Sequence, residues 1–290
     1  MIIVKLSGGL GNQLFQYALG RSMAEREKTI FKIDLYSCKK QINITPRQYE
    51  LSPFNVQENF STPQENEIFC GGKFNIFLRK VLNKVQFNFY LNNNIIEKKY
   101  NFNSSVLNLK GSCYLDGYWQ TEKYFFDIKN IIKSEFTLKE KYNNLNVQLV
   151  EKIVNCNSVS IHIRRGDYIS DQKINNYHGV CSLDYYHKAI NLISKKYSDL
   201  TFFIFSDDLK WCKKNLKINW PVVFIEGNKN YEDLILMSKC HHNIIANSSF
   251  SWWGAWLNNN PDKIVIAPKQ WFVNKSINTE DLIPESWIKI

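Results

Sequence analysis

The sequence predicts an α/β protein with two Rossmann-like domains facing a cleft, and two observations lead to that prediction. The first is an apolar run at residues 2–6, followed by Gly8, Gly9 and Gly11 and then by a helical pattern. The second is a series of five apolar strand candidates after residue 157 that alternate with helical stretches. Strands that alternate with helices form parallel sheets, whose ligands bind at the carboxyl ends of the strands.

The N-terminal half is only partly readable. Apolar side chains that recur on one helical face predict a helix over 12–28, and residues 29–34 predict the second strand. A further strand and two helices are expected at 114–119, 124–134 and 142–154. The stretch 38–110 has no clear periodicity, so its structure is left unassigned.

The C-terminal half has a regular pattern. The predicted strands are 158–163, 201–205, 222–225, 243–246 and 263–267, and the predicted helices between them are 183–197, 208–216, 231–240 and 250–259. A short polar stretch at 155–157 suggests a boundary, which gives domains at 1–155 and 156–290.

Composition excludes several classes of protein. The net charge of +10 favours anionic partners, but scattered lysines and the lack of an Arg-rich motif argue against nucleic acid. Seven cysteines, an odd number without CxxC spacing, argue against a disulfide framework and a zinc knuckle. Without a leader or a long apolar run, we expect a cytoplasmic protein with at most peripheral contact with the inner membrane.

The segment HIRRGDY carries the strongest chemical signal. Because side chains alternate along a strand, His162 and Arg164 share one face. Guanidinium groups match phosphate oxygens in pairs, so Arg164 and Arg165 would hold a pyrophosphate without a metal. Gly166 permits a turn that aims Asp167 into the site; the alternative is a surface ion pair between Arg165 and Asp167.

Carboxylates follow at two later positions. Asp207 would accept hydrogen bonds from ribose hydroxyls or orient the arginines, whereas Asp208 is equally compatible with a helix N-cap. Asp233 opens a helix, where an acidic side chain is favoured by the helix dipole. Functionally, its carboxylate would select guanine by accepting bonds from N1–H and the amino group.

Two loops complete the candidate site. The polar run at Asn247, Ser248, Ser249, Phe250 and Ser251 opens a helix and suits a β-phosphate. Of the tryptophans that follow, Trp256 is expected in the core, while the roles of Trp252 and Trp253 stay open. The glycine loop would present N–H groups to an anion or a sugar, or simply form a tight turn; Leu14 replaces the third glycine of a dinucleotide site.

Taken together, these segments resemble the bacterial α-1,2-fucosyltransferases of glycosyltransferase family 11. The similar pieces are GGLGNQLFQYA at 8–18, DGYWQTEKYF at 116–125, SIHIRRGDY at 160–168, FSDD at 205–208 and NSSFSWWGAWL at 247–257. They span nearly the whole chain. HIRRGDY and SSFSWWGAW are specific signals, whereas FSDD and the glycine loop alone are not.

The resemblance implies a GT-B-type fold, GDP-β-L-fucose as donor, a terminal β-galactoside as acceptor, and no cofactor or essential metal. Separately, the net charge of +10 favours an anionic membrane surface, where a lipid-linked acceptor would sit. His162 and Asp233 would contact guanine, Arg164 the pyrophosphate, and residues 248–251 the phosphates and fucose. The N-terminal domain would hold the acceptor through Asn12, Gln13 and Trp119, and the C-terminal domain would bind GDP-fucose. Arg164 and Asp167 are the expected catalytic residues, with Asp167 as candidate general base.

Other functions remain open at this point. One is a transferase that uses another GDP-sugar or forms another fucose linkage. An NAD-dependent oxidoreductase would use the Gly9–Asp34 unit, and a sugar-binding protein would use the aromatic residues. The unassigned region 38–110 would decide the acceptor, for which the family suggests a surface glycan such as lipopolysaccharide O-antigen.

Overall fold

A computed structural model describes residues 1–35, 48–70 and 94–290, which divide into two units, Met1–Lys139 and Glu140–Ile290. The division comes earlier than the predicted boundary between residues 155 and 156. The reason is the helix Val147–Val154, whose buried Ile153 packs with Phe203 and Phe205 in the core of the C-terminal unit. This helix therefore belongs to the second unit, and the predicted boundary is wrong by one helix.

The N-terminal unit is built on a parallel sheet. Its strands are β1 (Ile2–Lys5), β2 (Phe31–Asp34), β3 (Asn94–Ile96) and β4 (Cys113–Asp116), in the order β2-β1-β4-β3. The first two strands are confirmed with small changes at their ends. Strand β4 is shorter than predicted, because the chain turns after Asp116. Strand β3 lies in the stretch 38–110, whose structure the sequence analysis left unassigned.

One helix dominates this unit. Leu10–Arg26 is buried on nearly all sides, as expected for a helix enclosed by its own unit. The other described helices are Pro63–Cys70, Ser104–Leu107 and Lys129–Glu135, with 3-10 turns at Glu122–Tyr124 and Phe126–Ile128. The helix predicted at 124–134 is thus two short turns followed by a helix.

The C-terminal unit carries a six-stranded parallel sheet. Its strands, in the order β10-β9-β8-β5-β6-β7, are β5 (Asn157–Ile163), β6 (Leu200–Ser206), β7 (Val222–Phe224), β8 (His242–Ile244), β9 (Val265–Ala267) and β10 (Ile288–Lys289). The five predicted strands are confirmed. The sixth is a two-residue edge strand, which is too short to leave a periodic pattern.

Helices cover both faces of this sheet. They are Val147–Val154, Gly166–Ser170, Gln172–His178, Leu183–Ser194, Leu209–Asn215, Asn230–Lys239 and Ser249–Leu257, with a 3-10 turn at Glu140–Tyr142. Val159, Ile161 and Ile163 of β5 pack in the same core as helix Leu183–Ser194, as the alternation predicts. Because both faces are covered, polar side chains of the central strands emerge at the carboxyl edge.

Two further findings bear on the sequence-based expectations. The cysteines described with their side chains, Cys113, Cys156, Cys181, Cys212 and Cys240, are free thiols. Across residues 1–35, 48–70 and 94–290, no helix combines the length and apolar character needed to cross a bilayer.

Candidate active site

The centre of the candidate site is Arg164, directly after β5. Its Nη2 donates to Asp167 Oδ1 at 2.7 Å, and its Nη1 pairs with Asp207 Oδ2 at 2.9 Å. Asp207 also accepts a bond from the backbone N–H of Arg165 at 2.8 Å, through Oδ1. Two carboxylates thus fix the guanidinium of Arg164, which remains partly open to solvent. Of the two roles considered for Asp207, orienting the arginines is the one that the geometry supports.

Arg165 has a different environment. Its guanidinium lies 3.8 Å from the centre of the Trp211 ring, and its Nε donates to Asp208 Oδ2 at 3.2 Å. Asp208 also caps the helix Leu209–Asn215, since its Oδ1 accepts from Trp211 N–H at 3.1 Å. The N-cap alternative for Asp208 is therefore confirmed. The ion pair considered between Arg165 and Asp167 is replaced by the pairs Arg165–Asp208 and Arg164–Asp167.

Gly166 is required by the close approach of Asp207. A Cβ atom at Gly166 would lie 2.7 Å from Asp207 Oδ2, the oxygen that pairs with Arg164. Any larger residue would displace this carboxylate. Gly166, which was predicted to permit a turn, therefore also leaves room for the Asp207 carboxylate that holds Arg164.

His162, on β5 in the same unit, is buried against Phe250. His162 is only 5% exposed, and its ring centre lies 5.4 Å from that of Phe250. Burial, reinforced by Arg164, lowers the pKa of His162 to about 3, so the imidazole is neutral at pH 7. Its enclosed Nδ1 has no hydrogen-bond partner within the described parts of the chain. Such an atom is unusual in a finished core and is compatible with a ligand that completes the bonding.

Asp233 shows the opposite perturbation. Burial raises its pKa to about 6, although a bond from Asn228 Nδ2 to Oδ1 at 2.9 Å opposes the shift. A half-buried carboxylate whose pKa is raised in this way is typical of a functional position.

The loop after β8 divides into structural and accessible residues. Asn247 is buried, and its Nδ2 donates to the carbonyls of His178 at 2.9 Å and Trp271 at 3.2 Å. Ser248 and Ser251 are buried, with Ser251 Oγ donating to the Ser248 carbonyl, whereas Ser249 and Phe250 are partly exposed at the start of the helix. The site predicted at 247–251 thus contains accessible residues at its centre and a structural asparagine at its start.

The tryptophans of this helix belong to the core. Trp252 and Trp253 are fully buried, and Trp252 Nε1 donates to the Leu282 carbonyl at 2.9 Å. The Trp252 ring stacks on Trp256 with 6.2 Å between centres and lies 5.4 Å from Trp287. This resolves the open question for both residues and confirms the prediction for Trp256.

In the N-terminal unit, Gln13 is a buried connector. Its Nε2 donates to the carbonyls of Gly8 and Gln48, and its Oε1 accepts from Glu50 N–H at 2.9 Å. Asn12 is partly exposed, and its Oδ1 accepts from Gln120 Nε2 at 2.8 Å. Of this predicted acceptor pair, Asn12 is accessible, while Gln13 holds the glycine loop to residues 48–50.

The helix N-terminus beside the glycine loop is occupied by the chain itself. Glu50 Oε2 accepts from Leu10 N–H at 3.1 Å, so a carboxylate stands where the sequence suggested an anion or sugar. Asp34, the residue that a dinucleotide site would use for ribose, is buried and accepts from Tyr114 Oη at 2.5 Å. Both contacts weigh against the NAD alternative.

Trp119 sits in an unusual turn after β4. The residue is buried and has φ of +57°, a region that non-glycine residues seldom adopt. Glu97 Oε1 accepts from Trp119 N–H at 3.1 Å, and Glu97 Oε2 accepts from Tyr118 N–H at 2.6 Å. The turn places Gln120 against Asn12. The sequence singled out Trp119 but gave no sign of Glu97, which lies in the unassigned stretch.

Comparison with known proteins decides the family. The model of the family described as Glycosyl transferase family 11 matches residues 1–290, the whole chain. The chain belongs to glycosyltransferase family 11.

Two relatives of this family-11 chain match over full length. It is 37% identical to an alpha-1,2-colitosyltransferase of Escherichia coli, covering 100% of this chain and 99% of the relative. It is 35% identical to the O-antigen biosynthesis glycosyltransferase WbnK of Escherichia coli, covering 98% and 99%. Both names describe glycosyltransferases, and the general activity follows for this chain.

The fold agrees with that of solved glycosyltransferases. A crystal structure of NodZ alpha-1,6-fucosyltransferase soaked with GDP-fucose matches 88% of this chain and 91% of its own, with a TM-score of 0.50 and 14% identity. At this identity the likeness concerns the fold alone. Together with the two parallel α/β units, it confirms the GT-B-type fold predicted for the family-11 chain.

Sequence reasoning missed one group of residues in this family-11 site. His178 stacks on Tyr168, whose ring centre lies 5.6 Å from Arg164 Cζ, and Tyr177 in turn contacts His178. The matching segment SIHIRRGDY ends at Tyr168, and nothing in the spacing of residues 177 and 178 indicates a return to the site.

Proposed function

We propose that the chain is an inverting α-1,2-fucosyltransferase that moves L-fucose from GDP-β-L-fucose to the 2-hydroxyl of a terminal β-galactoside. The observation that carries the proposal is the guanidinium of Arg164, fixed by Asp167 and Asp207 at the carboxyl end of β5. The α-1,2 linkage is supported by the name of the colitosyltransferase relative. A surface glycan such as O-antigen as the acceptor's setting is supported by the name of WbnK.

Guanine recognition is proposed for Asp233 with His162. The Asp233 carboxylate is half-buried, and in its ionised form it would accept bonds from guanine N1–H and the amino group. Adenine has no such pair of donors. The neutral His162 and the partly exposed Phe250 would contribute a polar atom and a ring face to the base.

The chemistry then requires charge stabilisation at the phosphates. The acceptor 2-hydroxyl oxygen forms a bond to C1 of the sugar as the bond from C1 to the β-phosphate oxygen breaks, and the electron pair leaves with GDP. Arg164 would stabilise the growing negative charge, because its orientation is set before the reaction. Since this guanidinium supplies the positive charge, the proposal includes no metal cofactor. The net charge of +10 suits a cytoplasmic reaction close to an anionic membrane surface that carries a lipid-linked acceptor.

Asp167 would receive the proton of the acceptor hydroxyl or hold Arg164 in place. Its 2.7 Å bond to Arg164 Nη2 favours the positioning role, since a carboxylate held by a guanidinium is a weaker base.

Asp167→Asn is expected to leave the Kd for GDP within about threefold of the native value and to reduce kcat about 10²-fold, the scale of a general-base contribution. Isothermal titration and single-turnover rates over pH 5–9 would measure the two quantities. Because loss of either role would lower kcat, the pH profile separates them: loss of the acidic limb would support the base role, and an unchanged profile at lower kcat would support positioning of Arg164. A kcat that stays near normal would exclude both roles.

GDP-colitose is a second candidate donor, and the name of one relative supports it. The 37% identical relative is named as a colitosyltransferase, and colitose is fucose without its 3-hydroxyl. A site that recognises the 3-hydroxyl would separate the two sugars, because a buried polar group left without its partner costs affinity. GDP-fucose and GDP-colitose should therefore be compared directly.

The deciding experiment measures GDP release with each GDP-sugar and a panel of β-galactosides, with EDTA present throughout. Release that requires both substrates, together with an α-1,2-linked product identified by NMR, would support the donor, the linkage and metal independence. Faster turnover with GDP-colitose would replace fucose as the donor. GDP binding without turnover would direct the search to other acceptors, and no GDP binding would overturn the proposal.

Ionisation of Asp233 gives a pH-dependent prediction for the same site. Because its pKa is raised to about 6, the carboxylate protonates as the pH falls through 6, and GDP affinity should then fall. GDP phosphate titrates in the same range, so Asp233→Asn provides the reference whose remaining pH dependence comes from the ligand. Titration of both proteins with GDP and with IDP, which lacks the amino group, from pH 5 to 8 would measure the effect.

The same ionisation predicts a change in stability. Because the pKa of Asp233 is higher in the folded protein than in the unfolded chain, ionisation of this carboxyl destabilises the folded protein above pH 6. Asp233→Asn removes this cost and should therefore unfold at a higher denaturant concentration at pH 7.5. The gain would be on the order of 2–3 kcal/mol and should vanish near pH 4. Equal stability at both pH values, with unchanged GDP affinity, would contradict the role assigned to Asp233.

A further inference from the structure

Four rings gather at the carboxyl edge of the C-terminal sheet, and we name them the ring cluster: Tyr168, Tyr177, His178 and Phe272. Tyr168 stacks on His178 with 4.8 Å between ring centres and 13° between planes. Tyr177 meets His178 edge to face at 4.8 Å and lies 5.0 Å from Phe272. The rings come from two short helices and from the segment after β9, so the fold brings together residues that are far apart in sequence.

Asn247 holds the ring cluster in place. Its Nδ2 donates to the carbonyls of His178 and of Trp271, the residue before Phe272, and its own carbonyl accepts from Tyr168 Oη at 3.3 Å. Gly179, with φ of +65°, ends the helix Gln172–His178 and leaves room for Val273, whose Cγ2 would lie 3.0 Å from a Cβ atom. The cluster is therefore fixed by polar bonds to the loop after β8.

The ring cluster is partly open and adjoins Arg164. Tyr177 is 40% exposed and Val273 is 47% exposed, so apolar surface remains accessible. Arg164 Cζ lies 5.6 Å from the centre of the Tyr168 ring. Burial, the main cause, lowers the pKa of His178 to about 4, with Asp167 and Arg164 acting on it in opposite directions. The imidazole is uncharged at neutral pH, so the surface beside the ion pair is aromatic and neutral.

We propose that the ring cluster is the subsite for the transferred sugar of the donor, with Tyr177 offering its ring to the apolar face of the sugar. The inference rests on the proposed function. In a sugar nucleotide the hexose is bonded directly to the terminal phosphate, so a sugar whose phosphate is held by Arg164 lies close to the Tyr168 ring, which adjoins Arg164. The other rings of the cluster follow from Tyr168 through His178 to Tyr177. A deoxy sugar with a methyl group has a large apolar face, which suits aromatic rings, whereas a second anion would find no positive charge on the cluster.

The test compares the affinity for GDP-fucose with that for GDP in the absence of acceptor. Tyr177→Ala removes the exposed ring, and the ratio of Kd for GDP-fucose to Kd for GDP should rise roughly three- to tenfold, the range of an aromatic contact. Tyr177→Phe keeps the ring and should keep the native ratio. Tyr177→Leu keeps apolar bulk without the flat face and should behave like alanine, which guards against a folding defect in the smaller variant. Phe126→Ala, which removes an exposed ring from the other unit, is the matched control and should leave the ratio unchanged.

The outcomes separate this inference from the proposed function. A raised ratio with unchanged GDP affinity would support the subsite. A native ratio in Tyr177→Ala and Tyr177→Leu would overturn it, even if both proteins transfer fucose. An increase in acceptor KM with a native ratio would assign the cluster to the acceptor and would also overturn it. Native protein that binds GDP but does not bind GDP-fucose would remove the proposed function itself, and this inference with it.

Discussion

Arg164→Ala is expected to reduce transfer by about 10²- to 10³-fold and to abolish measurable donor binding. The guanidinium is the positive group that two carboxylates hold at the end of β5, at 2.7 and 2.9 Å. Removing one preorganised charged contact to a developing oxyanion raises the barrier by about 2–4 kcal/mol. Single-turnover rates at saturating acceptor, with calorimetric Kd values for GDP, would measure both effects.

Arg164→Lys is the matched control. Lysine keeps the positive charge but lacks the planar guanidinium. Its ammonium group cannot pair with Asp167, Asp207 and phosphate at the same time. We expect partial recovery of GDP binding and little recovery of kcat. A Lys variant with native kcat would indicate that charge alone matters. An Ala variant with native kcat would exclude Arg164 from catalysis.

Trp252→Ala should cause the largest loss of stability, about 3–5 kcal/mol. The indole is fully buried, its Nε1 bonds to the Leu282 carbonyl at 2.9 Å, and its ring packs on Trp256 and Trp287. The change would leave a large cavity and an unpaired carbonyl in the C-terminal unit. Urea unfolding followed by circular dichroism would measure the free energy difference.

Trp252→Phe serves as the comparison, because it keeps an aromatic ring and loses only part of the volume and the Nε1 bond. It should lose less than half as much stability as the alanine variant. Where Trp252→Ala is still folded, its Kd for GDP should equal the native value. Reduced GDP-fucose affinity at native stability would instead indicate that the indole touches the ligand.

Residues that act with near neighbours were predicted well from sequence. The alternation of Val159, Ile161 and Ile163 correctly grouped these three residues in one core, although the residues between them on β5 are buried as well. The glycine at 166 was singled out for a turn that aims Asp167, but its close contact in the structure is with Asp207. Such features depend on the period of a strand and on local backbone freedom, which are visible in a few consecutive residues.

Residues whose partners are distant in sequence were harder to interpret. Asn247 was expected at the donor, but its amide bonds to carbonyls about 70 and 24 positions away, at His178 and Trp271. Gln13 was expected at the acceptor, but it bonds to Gln48 and Glu50. The sequence around an Asn or Gln does not distinguish an amide that faces a ligand from one that is buried in the protein. Only the tertiary structure decides which hydrogen bonds the amide makes. Asn12, Trp119, Ser249 and Phe250 stay as predicted ligand contacts.

The carboxylate of Glu50 occupies one helix N-terminus of the N-terminal unit. A strand, a loop and a helix meet there in the arrangement that commonly cradles phosphates, but Glu50 already accepts the Leu10 N–H. Inorganic phosphate or a nucleotide would have to displace this carboxylate to take the bond. Under the proposed function, GDP would therefore bind in the unit that contains Arg164, and the glycine loop of the N-terminal unit would be left to uncharged ligands.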